Sequence, residues 1–445
     1  MAEIRPKSLT PPGSAGWIWA GYAALLATAP LLWTSSFAQT LLSQIGIAII
    51  ACLAYNLLLG QSGMLSFGHA VYSGLGAFMA MHSLNLVSAG QLALPVSLIP
   101  LVGGATGLAF AALLGGLTTR RSGTAFAMIT LGVAELVGAV SMMIPEVFGG
   151  EGGVSGNRVV GPPLAGITFG PQMEVYGLIA VYCFISTALM YALTRTPLGR
   201  MLNAVRDNPE RVEFVGYDAH LLRYQALMMS GFFAGIAGGL SALNFEIVSA
   251  EALGASRSGA YLLFVLLGGS AAFFGPIIGA VLMVLALVLL SGLTRAWLLY
   301  VGLLFLLMMS AAPGGIASLI MANLRLLAFG KLRRLLPAYA VLAAAAGVLL
   351  SGAAAIIEML YHLQLDAALG SKMSFLGLAL DVRDAFSWAA ALALLALGAG
   401  LLDWRRRGFC RDWAVIADEI EREIARLQGG LPGDQQATAA PTARL

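Results

Sequence analysis

The sequence predicts an all-α, polytopic bundle of membrane-crossing helices, and three observations carry that expectation. Hydrophobic residues fill 59% of the 445 positions and the mean hydropathy is +0.85, while charged side chains are held to 11%. A soluble globular chain balances about 45–50% apolar residues against ~25% charged ones. Uncharged runs of about 20 residues recur along most of the length, each enough to cross a hydrocarbon core of roughly 30 Å as a helix. The period-two alternation of a barrel strand is absent from those runs, so each must satisfy its own backbone hydrogen bonds as a helix.

In chain order the candidate spans are residues 17–35, 39–59, 65–85, 92–117, 124–145, 172–194, 225–245, 259–271, 275–292 and 296–312, with two more near 336–357 and 386–403. That is about ten core spans plus two C-terminal ones. Arginine and lysine favour cytoplasmic loops, so their placement tests the count. With Arg5 and Lys7 of segment 1–16 placed in the cytoplasm, four basic stretches fall on that side: Arg120–Arg121, the polar island around Arg206, "RLLAFGKLRR" and "WRRRGFCR". The loop "EVFGGEGGVSGNRVVGPP", poor in basic residues, falls on the other side. Both termini are then expected inside. The first run resembles a secretory leader in its flanks and in "SFA" at 36–38, but its apolar stretch is longer than a leader's, and it reads as a retained anchor.

Several function classes drop out early. A formal charge of +3 is too small for a nucleic-acid partner, and Cys52, Cys183 and Cys410 stand at no disulfide or metal spacing. A Walker-type phosphate loop is missing, since the only Gly-Lys pair, Gly330–Lys331, is followed by Leu332. The motifs of serine hydrolases and zinc proteases are missing too, so no catalytic residue, metal or bound cofactor is expected of this chain.

Glycine punctuates two segments in a way that suggests broken helices. The stretch 60–85 carries glycines at 60, 63, 68, 74 and 76, and 257–275 is a second shortened, glycine-interrupted run. Each follows a long span, and by the loop count those two spans run in opposite directions, the arrangement an inverted-topology repeat would produce near a transport site. The abundance of glycine in membrane helices is the simpler account of the same pattern. Gly231, Gly235 and Gly239, and Gly275 with Gly279, recur every four positions, where small residues let helix backbones approach closely.

Ionisable residues deep in the apolar runs are scarce. Glu135 is the clearest, and an acid in hydrocarbon costs several kcal/mol unless it is paired or faces a wet cavity. Two readings stay open for it, a place on a solute pathway or a structural partnership with a helix end or with Asn56. His69, a lone histidine beside the broken segment, reads as a hydrogen-bonded structural group rather than a metal ligand.

The polar island "GRMLNAVRDNPERVEFVGYD" (199–218) holds seven charged residues in twenty. Asp207 or Asn208 can cap a new helix with Pro209 in its first turn and Glu210 three residues after Asp207, and Gly216 supplies a stop. The result is a short helix near 209–215, with Val212 and Val215 on one face and Arg206, Glu210 and Arg211 around it. Such a capped helix suits a groove on a soluble partner.

At this point the residues resemble a family. "TPLGRMLNAVRDNPERVEFVGYDAHLLRYQALMMSGFFAGIAGGLSAL" is similar to the cytoplasmic loop and following helix of the branched-chain amino acid type (Liv-like) permeases of ABC importers, a group that includes urea and amide transporters. "NLLLGQSGMLSFGHAVYSGLGAF", "AMITLGVAELV" and "FVLLGGSAAFFGPIIGAVLM" resemble the family's glycine-rich segment, acidic helix and late glycine-rich pair, in that order over about 39–320. The resemblance implies an inner-membrane permease paired with a second permease subunit, two ATPase subunits where ATP and Mg act, and a periplasmic solute-binding protein. It implies that Arg206, Asp207, Asn208, Pro209, Glu210, Arg211 and Gly216 form the ATPase-coupling element, and that Gln61, Ser62, Ser66, His69 and Glu135 are pathway candidates. Two departures stand out: Glu151 lies near the outer-loop stretch where relatives commonly carry Asp, and Gly138 stands where relatives often carry a basic residue.

Residues 331–428 exceed the family's usual permease domain, here 17–330, and add two spans with an outer loop holding Asp366, Lys372, Asp381 and Asp384. Trp413, Ile416, Ile420, Ile424 and Leu427 form a helical stripe that suits a membrane surface, a partner subunit or, equally, an inert amphipathic helix, with Asp418 and Arg422 placed to pair at i, i+4. Residues 429–445 read as a disordered tail. Two other function classes remain beside the importer: an ion-driven secondary transporter or channel, which needs a relay of buried acids that the sequence does not display, and a scaffold recruiting partners through the extension.

Overall fold

Every one of the twelve apolar runs is helical in the computed structural model, which describes residues 14–160, 168–365, 371–375 and 378–427. The start of the N-terminal segment with Arg5 and Lys7, the end of the "VVGPP" loop, Asp366 and the tail 429–445 lie outside the described residues.

Helix α1 (Ser14–Leu32) leads to α2 (Ser36–Asn56), which Ser35 caps by accepting the Ala38 N–H at 3.3 Å. α2 runs straight into a π-helical turn, Leu57–Gln61, and the chain is non-helical over 63–68 before α3 (His69–Ser88). α4 (Ile99–Thr118) and α5 (Thr124–Met143) are joined by the Arg120–Arg121 turn, and α6 (Pro145–Phe148) is a single turn leading into the outer loop. Two-residue strands β1 (Val154–Ser155) and β2 (Ile247–Val248) pair antiparallel. Next come α7 (Gln172–Arg195), α8 (Pro197–Asp207), α9 (Pro209–Phe214) and α10 (Ala219–Phe245). α11 (Ala255–Gly268) and α12 (Gly275–Val284) flank a second break, and α12 continues as a π-helix over Leu285–Leu290 and a short α13 (Ser291–Leu293). α14 (Trp297–Ala311), α15 (Gly315–Ala328) and α16 (Leu332–Leu365) precede the hairpin β3 (Lys372–Phe375) and β4 (Leu378–Asp381), and α17 (Ala385–Leu427) ends the described chain.

Among the described residues eight helices are long and apolar enough to cross a membrane, or nine when α14 and α15, bent by 50°, count as one broken span. The other expected runs are helical but fall short of that standard: the apolar part of α1 and all of α11 are short, and α3 is diluted by polar and glycine residues. This is a multi-pass, all-α membrane protein.

The chain divides into two compact units. The first runs to Leu290 and includes Val301–Ser318. Its centre is α10, with 78% of its apolar window buried, beside α2 at 72%, whereas α5 and α7 bury only 28%. α10 is enclosed because it lacks bulk where its neighbours approach. A methyl group on Gly235 would strike the carbonyl oxygen of Gly103, one on Gly107 that of Gly231, and one on Gly238 that of Ser73, while Gly239 faces the Cα of Pro100. Backbone packing of this kind gains dispersion energy where lipid offers no hydrophobic drive. The second break is equally tight, with Gly275 against the Gly269 carbonyl and Gly279 against that of Phe264, and Gly269 at φ +107°.

The second unit takes Ser291–Tyr300 and the chain from Leu319 onward. α16 and α17 form an antiparallel pair in which Gly352 meets the backbone of Ala391 and Leu395, and Gly398 that of Leu349. Near the β3–β4 hairpin, Ala355, Met359, Val382 and Ala391 cluster, and Trp388 Nε1 donates to the Val382 carbonyl at 2.8 Å. At the other end Ile416 and Ile420 of the stripe read as a surface for lipid or a partner are covered by the chain itself, buried with Leu326 and Leu335, while the side chains of Ile424 and Leu427 lie outside those described. That region is no separate helix either, because α17 continues unbroken from its apolar half. Asp418 and Arg422 pair at 2.6 Å, and Glu419 binds Lys331 at 2.8 Å.

Candidate translocation and coupling site

The break at the end of α2 gathers most of the candidate residues. Ser62 closes the π-helical turn, its hydroxyl donating to the Leu58 carbonyl at 2.7 Å. Gly63 at φ +70° then turns the chain, with its N–H on Leu59 O at 3.2 Å and Met64 N–H on Leu58 O at 3.0 Å. Only glycine adopts that conformation without strain. The loop beyond it is pinned on several sides. Tyr55 donates to the Ser66 carbonyl at 2.8 Å, Phe67 N–H to Thr130 Oγ1 at 3.1 Å, and Ala70 N–H to Ser258 Oγ at 2.9 Å. Gly68 lies directly against the Thr130 carbonyl, so α5 and the loop touch backbone to backbone there.

His69 opens α3 fully buried, boxed by the rings of Tyr55 at 5.1 Å and of Tyr72 and Tyr261 at 6.2 Å. Neither of its ring nitrogens has a hydrogen-bond partner among the described residues, which corrects the reading of it as a hydrogen-bonded structural group. An unmet polar group in such a place costs about 1–3 kcal/mol, so the described conformation holds His69 in a state that a polar contact would relieve.

Beside the break the polar island folds as an elbow, made of α8, α9 and the turn to Tyr217. Thr196 caps α8 by accepting the Gly199 N–H at 3.3 Å, with Pro197 in its first turn. Asn208 caps α9, accepting the Arg211 N–H at 3.0 Å, with Pro209 and Glu210 in the first turn. Gly216 ends the turn at φ +91° with open space around it. Asp207, the other candidate cap, instead meets Arg206 at 3.1 Å. Val212 is buried, whereas Val215 faces out with Phe214 and Tyr217, so the two valines do not share a face; Phe214 is 91% exposed. Arg211 and Glu210 are exposed beside them.

The elbow reaches the break directly. Arg206 Nη1 donates to the Gly60 carbonyl at 2.5 Å, and Asn203 Nδ2 donates to Gln61 Oε1 at 2.9 Å. Gln61, Ser62, Ser66 and His69 thus lie on one short stretch in contact with the elbow. Glu135 is not brought to them. It sits exposed on the outward face of α5 beside Leu136 and Met128, with no hydrogen bond or ion pair among the described residues, and Asn56, named as a partner for it, is buried with its oxygen unmatched.

Two polar centres escaped the sequence. Arg158 of the outer loop spreads its guanidinium over the carbonyls of Phe169 at 2.8 Å, Asn244 at 3.2 Å and Gly170 at 3.2 Å, tying the loop to the end of α10. Gln172 joins the same group through Asn244 at 2.9 Å and Ser43 at 3.2 Å. In the second unit Glu358, inside the α16 span, accepts hydrogen bonds from Thr294 at 2.5 Å and Tyr300 at 2.9 Å. Apolar periodicity flags neither, because the partners lie 11 or more positions away in the chain.

The family model described as the permease component of branched-chain amino acid transport systems matches residues 37–313. The chain is 28% identical over 304 residues to the high-affinity branched-chain amino acid transport system permease protein LivM of Escherichia coli K12, covering 63% of this chain and 70% of that protein. The LivM protein of Salmonella typhimurium LT2 matches with the same identity and coverage. No solved structure matches the chain. The match encloses the first unit's break, the elbow and the glycine-packed α10, and the chain belongs to the branched-chain amino acid transport permease family.

Proposed function

We propose that this chain is the transmembrane subunit of an ATP-driven importer for branched-chain amino acids or related small amino-acid, amide or urea-like solutes. The observation that carries the coupling part is the end of α9 and the turn after it: Phe214, Val215 and Tyr217 are exposed in a stretch too charged to enter lipid. Apolar side chains in that setting find burial on a soluble protein, and a helix capped by Asn208 and ended by Gly216 presents them rigidly. ATPase subunits carrying ATP and Mg are the partners that fit this reading, with a second permease subunit and a periplasmic solute-binding protein completing the assembly in the bacterial inner membrane, both termini of this chain inside.

Glu135 supports the second permease subunit. A carboxyl group on the lipid-facing side of a spanning helix is expensive, so the exposed face of α5 belongs against a partner or a wet path between two subunits. Solute then passes near Glu135 and the broken helices by alternating access, with His69 gaining a polar contact in another state.

Gly216→Pro and Phe214→Ala test the reading. Proline cannot take the φ of +91° at position 216. Both variants are expected to insert normally and to lose uptake together with co-purifying ATPase subunits; normal ATP-dependent uptake in both removes the coupling role.

A further inference from the structure

We propose that Asn203 and Arg206 form a two-point latch that carries motion of the elbow into the broken end of α2. The inference rests on the reading of the elbow as the receiver of force, and it assigns to two residues the step between that surface and the pathway.

The physical basis of the latch is the set of groups that a helix end leaves unpaired. The last carbonyls of a helix have no intrahelical partner and carry the negative end of its dipole. At this end the chain satisfies Leu58 and Leu59 itself, through Ser62, Gly63 and Met64. The Gly60 carbonyl instead takes a charged donor, Arg206, from 146 positions away. One turn earlier on the same face of α8, Asn203 holds the side chain of the next residue, Gln61. Two adjacent residues gripped by two successive turns transmit rotation as well as displacement. Gly63 completes the grip, since a Cβ there would stand 2.8 Å from Arg206 Cγ.

Arg206 is placed for this rather than for docking. Its side chain is 35% exposed and its guanidinium turns inward, whereas Asp207 beside it is 67% exposed. The element being gripped is also one that can switch. A π-turn holds one residue more than the α-helical path, so resolving it moves the chain beyond by one residue, about 1.5 Å and ~100° of helix. Past the turn there is little slack, because Ser66, Phe67 and Ala70 are fastened to Tyr55, Thr130 and Ser258. A pull at Gly60 and Gln61 therefore arrives at His69 and at α5, the helix of Glu135.

The test uses the full complex in proteoliposomes with radiolabelled leucine as probe, and reads co-purifying ATPase, ATP hydrolysed per leucine taken up, and the KM for leucine. Asn203→Ala, Arg206→Ala and Gly63→Ala are expected to keep the ATPase subunits and their hydrolysis while uptake per ATP falls at least about tenfold with KM unchanged, a loss of ~1.4 kcal/mol of coupling. Arg206→Lys, which still offers a cation to Gly60, is expected to recover most of the ratio; a residue that only props the fold gives no such split. An uptake-to-hydrolysis ratio within about twofold of the parent in Asn203→Ala and Arg206→Ala overturns the latch, as does loss of ATPase binding in Asn203→Ala. The underlying reading fails separately, when the parental complex holds no ATPase or Gly216→Pro transports normally.

Discussion

Glu358 shows how much a single residue decides inside a membrane. Its side-chain oxygen gathers the Thr294 and Tyr300 hydroxyls, which lie 64 and 58 positions earlier, and so fixes the turn before α14 and the first turn of α14 to the α16 span. Removing the acceptor leaves two half-buried donors without their partner, at about 1–3 kcal/mol. Glu358→Ala is expected to lower the melting temperature of the purified full-length protein in detergent, and Glu358→Gln, which keeps an acceptor, to restore most of it. Equal melting of the two variants would show that the carboxamide geometry does nothing there. Asn208 behaves differently. Its partner is the N–H three residues on, so its role as a cap was legible in "DNPER", whereas nothing local marks Tyr300 as a partner for Glu358.

At the scale of elements, the contact between α4 and α10 is made by backbones. Gly103 and Gly107 interlock with Gly231 and Gly235, and each missing side chain is replaced by the neighbour's carbonyl. Gly235→Val forces that interface apart and is expected to cost roughly 1–3 kcal/mol or more, read as a lower thermal midpoint. Gly177→Val on α7, where an added Cβ meets no atom of a neighbouring element within 4 Å, is the control expected to leave the midpoint unchanged; valine has the higher helix propensity at either position, so a similar loss in both would mean that added bulk by itself, not this interface, sets the effect. The four-residue spacing was visible in "GFFAGIAGG", but the partner helix was not. For α17 the position is reversed. The stripe Trp413, Ile416 and Ile420 was legible as an apolar face, and its cover, Leu326 and Leu335, belongs to the chain's own helices.

For the whole molecule, the energy source is the question that divides the readings. ATP-driven transport by partner subunits predicts that vanadate abolishes leucine uptake by proteoliposomes holding the full complex, while an uncoupler with ATP kept constant leaves it near normal. The opposite pattern identifies an ion-driven carrier. The family match ends at residue 313, before α15, α16 and α17, and takes in Ser291–Tyr300 of the second unit. By itself the sequence determined the class, the twelve helical runs, the two glycine breaks and the capped elbow. Each of these depends on composition or on residues within a turn of one another, and such terms act before any tertiary contact forms. Tertiary structure alone decided that Arg206 turns inward to Gly60, that His69 is sealed among tyrosine rings with no hydrogen-bond partner among the described residues, that Glu135 faces outward, and that Ile416 and Ile420 of the α17 stripe are already covered. Those outcomes join residues far apart in the chain, 146 positions for Arg206 and Gly60, and a side chain's choice between two such partners leaves no periodicity in the chain.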